Sequence, residues 1–229
     1  MVSSLMYFND NAASWEWPAG YSRGMTAENS QHYFSAQPAG NFTPREIQVR
    51  LAHHDYTVVT AGGIFSPEHI DAGTEALLYS VPVPPQAGNL LDIGCGWGPL
   101  ALTMALESPQ AAIYAVDVNE RALELTRMNA SRLGLGNITA SLPENLDASI
   151  RFDTIWSNPP IRVGKAELHA MMKLWLPRLT TGGTAYLVVA KHLGADSFEK
   201  WLGTEFAGTH TVSREDTRKG FRIIAVTAS

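Results

Sequence analysis

The stretch Leu90-Leu91-Asp92-Ile93-Gly94-Cys95-Gly96-Trp97-Gly98-Pro99 decides how the chain is read. Four residues ending in Ile93 make a short apolar strand. Three glycines at alternate positions then make a turn in which a ligand can approach the backbone closely. Pro99 opens a helix, since proline is tolerated in the first helical turn. A strand, a glycine turn and a helix in that order place a binding loop at the carboxyl edge of a parallel sheet. The dinucleotide fingerprint G-x-G-x-x-G does not fit, because Gly94 and Gly96 are followed by Pro99 at the third glycine position. The spacing present is D-x-G-x-G-x-G.

Downstream, strands and helices alternate. Ala112 to Val116 predicts a second strand. Asn119 caps a helix with Leu123, Thr126, Ala130 and Leu133 on one face, stopped by Gly134. Further strands are predicted at Ile138–Ala140, Phe152–Trp156 and Thr184–Ala190. Helices are predicted over 165–176 and 197–206, the first with Leu168, Met171, Met172 and Trp175 at helical spacing. Strands over 209–213 and 221–227 close the chain. This is the pattern of a doubly wound parallel sheet with an antiparallel pair at its end.

Upstream the character changes. Ile47–Ala52 and Tyr56–Thr60 alternate apolar and polar about His53-His54-Asp55, which predicts a β-hairpin. Asp71 is the expected N-cap of a short helix reaching Ser80, and Pro82 to Gly88 form a linker. Residues 1–44 show no period through residue 30. They read as a loose arm; the sharper alternative is that Trp15, Trp17, Tyr21, Tyr33 and Phe34 dock on the domain or stack on RNA bases. Met25 is a possible alternative start. The domain reading is thus an arm over 1–44, a hairpin and short helix over 45–88, and a core over 89–229.

Composition limits the function. The chain has 229 residues, 45% of them hydrophobic, so it buries a substantial core. Its formal net charge of −5 excludes a globally basic nucleic-acid protein. Any nucleic-acid partner needs a local basic face. The single cysteine, Cys95, excludes an intrachain disulfide and a multi-cysteine zinc site. The histidines lack metal-ligand spacing, so no metal is expected. There is no 18-residue apolar run and no signal-like start, so a cytoplasmic protein is expected. Asp117 ends the second strand, where an acid can accept both hydroxyls of a nucleoside ribose; the plainer alternative is a helix-start charge.

The spacing D-x-G-x-G-x-G resembles motif I of class I S-adenosylmethionine-dependent methyltransferases. That resemblance implies S-adenosyl-L-methionine as cofactor, with an acid such as Asp92 suited to its ammonium. Asn158-Pro159-Pro160, after the fourth strand, resembles the motif of methyltransferases acting on planar nitrogens. The chemistry calls for such residues. An exocyclic amine is a weak nucleophile because its lone pair is delocalised. The Asn158 side-chain oxygen and the Pro159 carbonyl can each accept one of its N–H bonds, and so orient the nitrogen for in-line attack. Pro160 stiffens the turn.

The longer string Asn158-Pro-Pro-Ile161-Arg162-Val163-Gly164-Lys165 is similar to the methyltransferase small domain family, which includes ribosomal RNA guanine N2-methyltransferases. Gly63-Ile64-Phe65-Ser66, then Asp71-x-Gly73-Thr74-x-x-Leu77-Leu78, and Lys219-Gly220-Phe221-Arg222 match further family blocks. The resemblance runs from Tyr56 to Ala228. It implies a Rossmann-like fold: a mostly parallel seven-stranded sheet, helices on both faces, and here an N-terminal hairpin extension. It implies cofactor contacts from Phe65, Thr74, Asp92, Gly94, Cys95, Gly96, Gly98, Asp117, Asn145 and Asn158, and substrate contacts from Arg162 and Lys165. Cys95 also reads as a small packing residue. Ser141 stands where the family often has an acid for the adenine amine; Asn145 is either a substitute or a plain turn residue. The best-known ribosomal members carry an additional degenerate N-terminal domain, for which residues 1–50 are too short.

Charge adds a basic rim as an expectation. Arg162, Lys165, Lys173 and Arg178 outnumber Glu167 in one segment, and Arg214, Arg218, Lys219 and Arg222 outnumber Glu215 and Asp216 in another. The expected reaction is methylation of guanine N2 in ribosomal RNA. A protein glutamine amide, a small molecule, or a non-catalytic cofactor-binding scaffold are the alternatives.

Overall fold

A computed structural model describes residues 42–229. The aromatic arm and Met25 lie outside the described residues. The expected element order is present. The hairpin is β1 (Arg45–Leu51) and β2 (His54–Thr60), followed by α1 (Ala72–Ser80). Then come β3 (Asn89–Ile93), α2 (Pro99–Glu107), β4 (Ala112–Val116), α3 (Glu120–Arg132) and β5 (Ile138–Ser141). β6 (Phe152–Ser157), α4 (Lys165–Trp175), β7 (Leu179–Ala190), α5 (Ala195–Glu205), β8 (His210–Arg218) and β9 (Phe221–Ala228) complete the chain.

The main sheet has seven strands in the order β5-β4-β3-β6-β7-β9-β8. β3 to β7 are parallel, while β9 runs antiparallel to both β7 and β8. Winding from β3 goes outward through β4 and β5, then restarts on the other side with β6 and β7. The reversal falls between β3 and β6, and ligands of open α/β sheets bind outside the carboxyl ends of the strands at such a point. The glycine loop follows β3 and Asn-Pro-Pro follows β6, so both border that crevice.

Side chains alternate across each strand, so the sheet is buried on both faces. Leu91, Ile93, Ile155 and Leu187 face α4 and α5, which contribute Leu168, Met172, Trp175, Phe198 and Leu202. Leu90, Ile113, Ala115 and Trp156 face the other way, toward Leu77 of α1, Leu100 and Met104 of α2, and Leu123 of α3. The hairpin buries Val49, Leu51, Val58 and Val59 against Trp97, Leu102, Leu125 and Ala130. Asn129, buried on α3, ties it down: its side chain bonds Val59 N, Val59 O and Trp97 O.

Three boundaries differ from expectation. The hairpin turn is Ala52-His53 alone, with φ of 45° and 68°, while His54 and Asp55 pair with Leu51 and Arg50 in the ladder. Positive φ at both central residues makes a two-residue turn whose twist suits the strands. β7 begins at Leu179, which pairs with Phe152, and its register against β6 shifts before Thr184 pairs with Thr154. β8 runs on to Arg218 as an edge strand with a largely exposed face, so its polar second half carries no apolar alternation.

Candidate active site

The glycine loop is held from outside by its neighbours. Val116 O, at the end of β4, accepts from Gly94 N at 2.8 Å and Cys95 N at 3.1 Å. Asp117 Oδ2 accepts from Gly96 N at 3.0 Å, and its Oδ1 from Asn119 N at 2.9 Å. Thr126 Oγ1 donates to Gly96 O at 3.0 Å. Gly94 and Gly96 take φ of +75° and +57°, and a Cβ built on either meets nothing within 4 Å. The loop therefore combines a backbone that only glycine adopts easily with open space over it. Cys95 is buried beside Thr126, at 3.5 Å from its hydroxyl, and burial pushes its thiol pKa well above the usual value. It packs; it is not an activated nucleophile.

Asp92 is fully buried. Its Oδ2 accepts from Ala101 N at 3.0 Å, while Oδ1 has no partner. Burial pushes its pKa up to about 8, and the nearby Asp117 adds to the rise against the helix N–H bond. Asp117 is pushed up to about 6, again by burial, opposed by its backbone hydrogen bonds. Ser141 Oγ, at the end of β5, is a second buried polar atom without a partner. Asn145 lies just beyond in an exposed 3-10 turn, with its N–H on Leu142 O.

Across the switch point, Ser157 at the end of β6 donates to Ile93 O at 2.8 Å and locks the two strand ends together. Asn158 follows. Its Nδ2 donates to Asp71 Oδ2 at 2.8 Å and to Thr74 Oγ1 at 3.1 Å. Thr74 and Asp71 belong to α1 and its cap, so the short helix reaches directly to Asn158. Pro159 O takes Ile161 N at 2.8 Å, and a carbonyl retains a second lone pair. Phe65, on the loop between β2 and α1, is about half exposed at 49%.

The expected basic rim is only partly at this edge. Arg178 lies at the opposite end of the sheet, buried over the rings of Phe152 and Trp175 and bonded to Ile150 O. Lys173 pairs with Glu205, Arg214 with Glu199, and the buried Arg222 with Asp196 and Glu199. Arg178 and Arg222 are buried and need those partners, while Lys173 and Arg214 are surface cations already paired with acids. Arg162 and Lys165, exposed after β6, and Lys219, in the β8–β9 turn, do stand at the carboxyl edge. Arg218 lies over the ring of Tyr79. Sequence reading missed Lys191 and His192, which follow β7; Lys191 N bonds Gly220 O at 2.9 Å and joins its loop to the β8–β9 turn. Their signal was present: a basic pair immediately after a strand that ends at the same edge. Arg162, Lys165, Lys191 and Lys219 have no acidic partner among the described residues.

Residues 55–225 match the methyltransferase small domain family. The chain belongs to that family. Among relatives of this methyltransferase, the Bacillus subtilis protein YbxB, described as uncharacterised, is 34% identical over 198 residues, which cover 85% of this chain and 97% of YbxB. The ribosomal RNA small subunit methyltransferase C of Aeromonas hydrophila is 31% identical over 173 residues, covering 73% of this chain and 49% of that protein. The methyltransferase described here thus spans about half the length of that relative. The Thermus thermophilus 16S rRNA N2 G1207 methyltransferase, solved in complex with AdoMet and guanosine, superposes with a TM-score of 0.69 at 22% identity. That match covers 83% of this chain and 52% of the other, and is a likeness of fold. Among the described residues, no helix is long and apolar enough to cross a membrane, and no group of three His, Cys, Asp or Glu could hold a metal ion.

Proposed function

We propose that this methyltransferase uses S-adenosylmethionine and transfers its methyl group to the exocyclic N2 amine of a guanine in ribosomal RNA. The observation that carries the reading is Asn158. It stands at the switch point beside the glycine loop, with its amide nitrogen held by Asp71 and Thr74. Its Oδ1 has no hydrogen-bond partner among the described residues.

The residues fit the cofactor. Asp92 offers a buried carboxyl oxygen without a partner, which can accept a hydrogen bond from an ammonium. Gly94 and Gly96 leave room over the backbone. Asp117 uses one lone pair on each oxygen for backbone donors, and a carboxylate has about four lone-pair sites, so ribose hydroxyls can still be accepted. Ser141 brings an unpaired hydroxyl to the far side. When bound, the cofactor supplies an electrophilic methyl group on a sulfonium.

The protein's part is positioning. Asn158 Oδ1 accepts one N–H of the amine and Pro159 O the other, which turns the nitrogen lone pair toward the methyl carbon. The bond made would be from nitrogen to the methyl carbon, and the bond given up would be the one from that carbon to sulfur, whose electrons sulfur would keep. The nitrogen becomes acidic only once methylated, so no strong base is needed, and water takes the proton. Holding two reactants in line in this way accounts for much of a rate enhancement. RNA as the acceptor is supported by the exposed cations Arg162, Lys165, Lys191 and Lys219 around the crevice, and by relatives named as ribosomal RNA methyltransferases.

The test is incubation of purified protein and labelled S-adenosylmethionine with ribosomal RNA from a strain lacking the gene, as naked RNA and as subunits. Nucleosides are then resolved by mass spectrometry. Labelled N2-methylguanosine is expected. Absence of label from every nucleoside, with cofactor binding confirmed by calorimetry, would overturn the RNA reading and direct the search to a protein amide or a small molecule.

A further inference from the structure

We infer that Asp71 is a positioning residue: it fixes which way the Asn158 amide faces, so that the oxygen and not the nitrogen meets the acceptor amine. This rests on the reading of Asn158 as the group that accepts the amine. An asparagine amide is nearly symmetric in shape, and a half-turn about its last bond exchanges a hydrogen-bond acceptor for two donors. Only the oxygen can orient an N–H of the substrate. Something must therefore choose between the two states.

Thr74 cannot make the choice. Its hydroxyl, at 3.1 Å from Asn158 Nδ2, can donate or accept. Asp71 can. Its Oδ2 already accepts from Gly73 N at 2.8 Å and Thr74 N at 3.4 Å as the N-cap of α1. An oxygen engaged by backbone donors presents only lone pairs to a third group. The group 2.8 Å away on Asn158 must then be the NH2, whichever way the amide is drawn. The backbone of α1 thus fixes Asp71, Asp71 fixes the amide nitrogen, and the amide oxygen is left pointing away from α1.

Gly73 shows how closely these groups are set. A Cβ there would meet Asp71 Oδ2 at 2.9 Å, Phe221 Cε1 at 3.1 Å and Asn158 Nδ2 at 3.3 Å. The helix start, the Asn-Pro-Pro turn and the β8–β9 end converge on one point. The arrangement also gives the block Asp71-x-Gly73-Thr74 a function beyond starting a helix: 87 residues before Asn158, it holds that residue's reactive face.

Two variants separate orientation from capping. Asp71→Ser keeps a good N-cap, but its hydroxyl is one bond shorter and does not reach Asn158. Asp71→Asn keeps an oxygen where Oδ2 stands, since the same backbone N–H groups draw it there. We expect Asp71→Ser to keep its Tm within about 2 °C and its S-adenosylmethionine Kd within about twofold, while kcat on the ribosomal RNA above falls roughly 10²-fold. Asp71→Asn should retain most of the wild-type kcat. The second readout needs no acceptor: the Asn158 side-chain NH2 signals of 15N-labelled protein, assigned by their loss in Asn158→Ala. In wild type and Asp71→Asn they should be shifted and protected from exchange; in Asp71→Ser, where the bond to Thr74 alone remains, they should move toward free-amide positions and lose protection. Unchanged signals or unchanged kcat in Asp71→Ser would overturn the inference, as would an Asp71→Asn as inactive as the serine variant. If wild type labels no RNA nucleoside, the acceptor reading fails, and the amide signals alone decide the role of Asp71.

Discussion

The two sides of the switch point are built in opposite ways. On the side of β3 and β4, the site is contiguous and inward. Asp92 to Gly98 run unbroken from the end of β3 into one loop, two acids are lifted by burial to about 8 and about 6, and the cysteine is inert packing. On the side of β6, β7 and β9, the site is scattered and outward. Asn158, Arg162, Lys165, Lys191 and Lys219 come from three separate loops, and the four cations are exposed. A small ligand carrying an ammonium and a ribose suits the first side. A large polyanion suits the second, because exposed cations attract phosphate without the cost of burying charge. Asn158 sits on the border, where a methyl group would pass from one to the other.

That division can be broken by substitution, and the largest effect belongs to the border. Asn158→Ala should lower kcat by about 10³-fold or more, because no remaining side-chain oxygen orients the amine. Its S-adenosylmethionine Kd should stay within about twofold by calorimetry. A parallel loss of cofactor affinity would place Asn158 on the cofactor side instead. Next comes Asp117→Ala, which should weaken S-adenosylmethionine roughly 10- to 100-fold, in line with hydrogen bonds to a charged group. Its kcat at saturating cofactor should change far less. Unchanged affinity would refute the ribose role and leave Asp117 as a brace for Gly96.

The outward side predicts a smaller, salt-dependent change. Replacing Lys191 and Lys219 together by alanine should weaken binding to ribosomal RNA and reduce the slope of log affinity against log salt by roughly 1.4 to 1.8. S-adenosylmethionine binding should not change. A slope equal to wild type would mean that these lysines contact no phosphate.

The mildest prediction concerns pH. A carboxyl group whose pKa is raised on folding holds its proton more tightly folded than unfolded. The contribution of Asp92 and Asp117 to stability in the cofactor-free protein therefore falls as pH rises from about 4, and levels off above about 8, where Asp92 is ionised in both states. Asp92→Asn should flatten the decline between about pH 6 and 8 and roughly halve it between about pH 4 and 6, where Asp117 still contributes. Denaturant melts across that range measure it. An undiminished slope would show that another group carries it.

The same contrast explains what the sequence disclosed. The glycine loop, the Asn-Pro-Pro turn and the alternation of strands and helices are local patterns, and a reader meets them whole. The family blocks were legible for that reason. What stayed hidden lies in pairs across space. Nothing near Arg222 in sequence says that Asp196 and Glu199 neutralise it, or that Arg178 is buried on Phe152 and Trp175 at the far end of the sheet. Counting charges by segment therefore assigned to the rim two buried cations and two already paired on the surface, Lys173 and Arg214, and passed over Lys191. Asp71 was legible as a helix cap, but its hold on Asn158 was not, since the fold alone brings α1 to the end of β6.

The most direct measurement of the two-sided site is amide hydrogen exchange on the full chain, first with S-adenosylmethionine and then with bare small-subunit ribosomal RNA added. The account predicts that the cofactor alone slows exchange over residues 93–98 and 117–119. RNA should then slow it over 161–165, 191–194 and 217–221, with little change on the hairpin. RNA protection that falls elsewhere, or cofactor protection spread over the β7 and β8–β9 loops, would contradict the division on which the proposed reaction depends.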